Sequence, residues 1–91
     1  MQNAYNAHVA VEKATQDYEN ARPHAIALLP YLSPKDASNL RNAMVAIEHY
    51  LELARAATDF AQQVAAIEEA RQSLTFVENT NDRNRTPRPG Y

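Results

Sequence analysis

The side chains able to do chemistry in this chain are few and widely spaced. Three serines (Ser33, Ser38, Ser73) and three histidines (His8, His24, His49) are the raw material for a hydrolase triad, which needs a nucleophile, a base and an orienting acid. No serine stands in a G-x-S-x-G elbow, and the single glycine, Gly90, could not build one. Ser33 is better placed to cap a helix. For a metal, His8 and Glu12 lie four apart on one helical face, and His49 and Glu52 lie three apart. Either pair gives two ligands where a protein site takes three or four. H-E-x-x-H is absent. The residue three before His49 is Ala46, not the glutamate of a carboxylate-bridged iron bundle.

The acidic residues tell the same story. Glu48 with Glu52 and Glu68 with Glu69 do not give the E-x-x-E spacing expected of a magnesium-dependent nucleotide hydrolase. Ion pairs at helical spacing (Lys13–Asp17, Arg55–Asp59, Glu68–Arg71) describe a solvated face instead. With no cysteine there is no disulfide, thiolate nucleophile or cysteine zinc site. With glycine confined to position 90 there is no phosphate-cradling loop. The sequence predicts no catalytic residue, no metal and no cofactor, and the chain does not read as an enzyme.

One segment points toward nucleic acid or a nucleotide. Arg83, Arg85 and Arg88 with Tyr91 could follow a phosphate backbone and stack a base. Against that, three cations are a weak footprint, no basic recognition helix is visible, and the formal charge of the chain is −2. The bland alternative is a solubilising tail.

The elements that must position all these residues are helices. Alanine, glutamine, glutamate, arginine and leucine dominate the chain, and all are good helix formers. Hairpin dipeptides are missing. From Lys35 to Thr86 there is neither proline nor glycine. The fold class is therefore all-α. In the first segment Ala4, Ala7, Val11, Ala14, Tyr18, Ala21, Ala25, Leu28 and Leu32 advance by threes and fours, one stripe of a helix. Pro23 falls inside it, so this helix is expected to be kinked rather than interrupted by a loop. Ser33-Pro34-Lys35-Asp36 is a start signal: N-cap serine, proline at the first helical position, and an acid at the positive end of the helix.

Beyond it, Leu40, Met44, Ile47, Leu51 and Ala54 form a second stripe, and Phe60, Val64, Ile67, Leu74 and Val77 a third. The six residues between Ala54 and Phe60 offset the two by about 120°, with Tyr50, Leu53 and Ala57 bridging them. One helix over 34–78 would be about 66 Å long, against a radius of gyration of about 12 Å for a compact domain of this size. Two architectures follow. Either the chain breaks near residues 58–59, with Asp59-Phe60-Ala61-Gln62 as a capping box, and folds into a three-helix antiparallel bundle. Or the long helix pairs with another chain. From Asn79 the aliphatic pattern stops, so a single domain over 1–78 and a flexible tail over 79–91 are expected.

Only 19 large aliphatic, methionine and phenylalanine side chains remain once 17 alanines and five tyrosines are set aside from the apolar count, which makes a thin core. No apolar run reaches the length of a membrane span. The opening MQNAYNAHVAVEK lacks the pattern of a secretory signal, so the expected address is cytoplasmic. The apolar helix face exceeds what one thin bundle would cover. The expected function is accordingly a non-catalytic protein–protein interaction module that self-associates, first of all as a dimer. Size and class are those of adaptors and of small inhibitors of larger complexes, phage-encoded ones among them. The expected seam is Tyr50, Leu53, Ala57, Phe60, Val64 and Ile67. Tyr18 and Phe60 are expected in the core. Tyr31, in Leu29-Pro30-Tyr31-Leu32, is expected either to plug the bundle end or to anchor a partner.

Overall fold

The computed structural model describes residues 6–85. Three helices run up, down and up: α1 (Ala7–Leu28), α2 (Pro34–Ala56) and α3 (Phe60–Arg85), with a short 3-10 turn (Leu29–Tyr31) leading into α2. No strand occurs among the described residues. Each start is capped by the side chain before it. Asn6 Oδ1 accepts the Val9 N–H at 3.1 Å. Ser33 Oγ accepts the Asp36 N–H at 3.2 Å, with Pro34 at the first helical position. Asp59 Oδ1 accepts the Ala61 N–H at 3.0 Å, and the Asp59 carbonyl accepts the Gln63 N–H at 2.9 Å.

α1 passes through Pro23 without interruption. The proline lies on the exposed face, so its ring displaces no packing partner. Between α2 and α3 the chain turns at Ala57, whose φ of −66° and ψ of 136° are ordinary extended values. No residue with positive φ is needed, which is why this corner forms without glycine. The last turn of α2 is tied down from the far side: Gln63 Nε2 donates to the Ala54 carbonyl at 3.0 Å. The long-helix architecture is thereby excluded.

The three stripes meet in the core. Ala14, Tyr18, Ala21 and Ala25 of α1 pack with Leu40, Met44, Ile47 and Leu51 of α2 and with Ala70, Leu74 and Val77 of α3. A smaller cluster of Ala7, Val11, Ala54, Ala66 and Ile67 fills the end near the α2–α3 corner, and Tyr50 packs against both clusters. α3 lies against both other helices along its length, whereas α1 and α2 meet less extensively. The result is elongated, 54 × 26 × 16 Å with a radius of gyration of 15.1 Å.

Two expectations are corrected here. The helix does not stop at Asn79 or Asn81: α3 continues to Arg85. Thr80 and Asn81 extend the threes-and-fours spacing of Leu74 and Val77 and are buried. Their polarity is absorbed locally. Thr80 Oγ1 donates to the Phe76 carbonyl at 2.8 Å, and Asn84 Nδ2 donates to the Thr80 carbonyl at 2.9 Å. Asn81 Nδ2 donates across to the Ala21 carbonyl of α1 at 3.1 Å, while its Oδ1 is buried without a protein partner. Second, Phe60 is not core; it is 58% exposed at the first turn of α3.

Candidate functional site

α2 and α3 leave a groove on the side away from α1. Its walls are Tyr50, Leu53, Ala56 and Ala57 from α2 and Gln62, Ala65, Ala66 and Glu69 from α3, enclosing about 440 Å³. Alanine dominates because each helix turns a second, small-residue stripe toward this side, and the missing side-chain volume is the groove. Leu53 stands at its edge, 45% exposed. Tyr50 is half-buried, its ring in edge-on contact with His49 at a centroid distance of 5.1 Å. A smaller hollow lies further along the same two helices, lined by Asn39, Asn42, Ala43, Gln72, Ser73 and Phe76. Phe76 is 40% exposed.

The expected seam is only partly assembled. Tyr50, Leu53 and Ala57 share the groove. Ile67 is buried in the smaller core cluster, Val64 is half-buried, and Phe60 lies outside the groove lining. The break at 57–59 rotates α3 relative to α2, so a line that is straight on one helix is not straight across the corner. Tyr31 sits in the turn at the other end of the bundle and is 85% exposed; it does not plug that end. Leu28, Leu29 and Leu32 pack against the core there and leave the ring outside. Ala56, Ala65 and Ala66 were missed because isolated alanines carry little hydrophobic signal. Phe76 was missed because it lies off the core stripe, although Ala65, Glu69, Gln72 and Phe76 step by four, three and four.

A second cleft, between α1 and α2, is polar. Arg22, Glu48, Glu52 and Arg55 line it with Thr15 and Tyr18. The Tyr18 hydroxyl donates to Glu48 and approaches the Met44 carbonyl at 3.5 Å. Burial pushes the Tyr18 phenol well above its usual range, and the hydrogen bond to Glu48 and the Glu48 charge add to this. Arg22 lies 3.7 Å from Glu48, and Arg55 donates to Thr15 rather than pairing along its own helix. On the other side of α1, Asp17 accepts from Lys13 at 3.1 Å and from Arg71 of α3 at 3.1 Å. Burial raises the Asp17 pKa, but the hydrogen bonds and charges of Lys13 and Arg71 outweigh it and hold the carboxyl below the ordinary aspartate value. These groups are committed to holding α1 on the α2–α3 pair.

Among the described residues, no three histidine or acidic side chains come together to hold a metal ion, and no helix is long and apolar enough to cross a membrane. Of the basic residues at the C-terminal end, Arg83 is exposed on the last turns of α3, with Nη2 3.5 Å from Thr80 Oγ1. Arg85 closes that helix. Arg88 and Tyr91 lie outside the described residues. No protein-family model, no curated protein and no solved structure matches the chain.

Proposed function

We propose that this protein is a non-catalytic helical interaction module that works through the α2–α3 face and associates with itself through it. The observation that carries the reading is the apolar groove beside Leu53, which α1 leaves uncovered. A groove lined by alanines accepts the side chains of another helix at close approach. The charged side chains that tie α1 to the bundle, Asp17 with Lys13 and Arg71, and Glu48 with Arg22, lie outside the groove lining. The groove is thus open to contact without disturbing them.

Leu53→Glu tests this directly. Leu53 is exposed, so the helical circular dichroism should be unchanged. Light scattering on the wild-type chain should show a mass that rises toward two copies with concentration, while Leu53→Glu stays at one copy. A single-copy mass for both chains across the range would defeat the self-association reading.

A further inference from the structure

We infer that the two copies dock about a two-fold axis passing between α2 and α3 and perpendicular to them, so that Phe76 of each copy enters the groove beside Leu53 of the other. This rests on the reading just given and fixes its geometry.

The first support is a hollow and a projection on one face. On α3, Ala65, Glu69, Gln72 and Phe76 lie on one line. On α2, Asn39, Ala43, Ala46, Tyr50, Leu53 and Ala57 lie on another. The groove and the smaller hollow both open between these helices, and so place the two lines side by side. Phe76 projects about 16 Å along α3 from Ala65 in the groove wall. A surface with a projection at one end and a hollow at the other complements itself only when turned end over end, which is the isologous two-fold contact. Copies paired parallel would set groove against groove and Phe76 against the Asn39–Asn42 end.

The second support is register. Gln63 Nε2 on the Ala54 carbonyl fixes which residues of α2 and α3 stand at one level. From that pairing, a two-fold near Ala70 brings Leu53 of one copy over Phe76 of the other. The third is charge. Each copy carries a formal −2, so copies repel unless the contact is nearly uncharged, and Glu69 is the one charged residue on the two lines.

The fourth is area. The α2 line from Asn39 to Ala57 is about 27 Å long, and two adjacent helices present a width of roughly 20 Å. The footprint is therefore roughly 500 Å² per copy, about 1,000 Å² in all. That reaches the threshold for a specific contact and falls short of a permanent one. The dimer is reversible and concentration-dependent.

The absence of native cysteine makes the test clean. Leu53→Cys and Phe76→Cys chains are prepared separately, mixed and mildly oxidised. The mixture should give a disulfide-linked dimer that contains one chain of each kind. Each chain alone should give little, since like positions would stand about 18 Å apart, beyond the reach of a disulfide. In sedimentation equilibrium Phe76→Ala should weaken dimerisation at least tenfold with helical content unchanged. Homotypic Leu53→Cys dimers, or a wild-type dimer indifferent to Phe76→Ala, would overturn this geometry and leave self-association through the face standing. A wild-type chain that stays monomeric at every concentration would overturn both.

Discussion

Asp17 is held by two cations from two directions, Lys13 one turn along α1 and Arg71 on α3. Its carboxylate is only 20% exposed, so screening by water removes less of this attraction than at an open surface site. The folded-state pKa is depressed. The contribution to stability is therefore fully present above the unfolded aspartate value of about 3.9. It is lost as the pH falls below that through the lower folded value. Asp17→Asn should cost about 1 kcal/mol at pH 7. In urea titrations at a series of pH values, the gap from wild type should close as both chains approach pH 2. A gap that persists there would mean that the loss came from packing.

At the scale of the element, α1 is the helix with the weakest intrinsic case. Four of its six buried side chains between Ala7 and Ala25 are alanine, and Pro23 sits in its interior. Proline there removes the hydrogen bond that would return to the Glu19 carbonyl. Because Pro23 is exposed, Pro23→Ala should restore that bond without creating a cavity. We expect a gain of roughly 1–3 kcal/mol, read as a higher urea midpoint. No change would show that the bend itself is needed for packing.

The helices were legible in the sequence for reasons of the same kind. The stripe from Ala7 to Ala25 and the stripe from Leu40 to Ala54 are buried in full, because strict threes-and-fours spacing admits one face only. The Ser33 cap was legible from three residues. The corner at Ala57 was ambiguous, since its usual marker is a glycine and the extended conformation adopted there needs none. The helical course of Asn79–Arg85 was hidden, because asparagine and threonine favour helix ends unless their side chains find backbone carbonyls, as Thr80 and Asn84 do. The groove was only partly legible. It is built from what alanines leave out, and hydrophobic patterning registers what side chains add.

For the whole molecule, the radius of gyration of 15.1 Å exceeds the roughly 12 Å of a compact domain of this length. The thin core is spread along a rod, and several large apolar groups remain outside it. A lone copy should be marginally stable, and pairing would add stability by mass action. Tenfold dilution within the dimerising range should then lower the melting temperature by roughly 5 °C. Leu53→Glu should melt at one temperature at every concentration. Circular dichroism melts over a dilution series would decide it, and a wild-type melting temperature indifferent to dilution would argue for a self-sufficient monomer.

Asn81 reaches the Ala21 carbonyl from inside the bundle and keeps one lone pair unmet. Any sliding of the third helix past the first would strand both of its polar atoms in an oily interior. The side chain thus works as an alignment pin, tolerated because every misaligned assembly of these alanine-rich surfaces would fare worse.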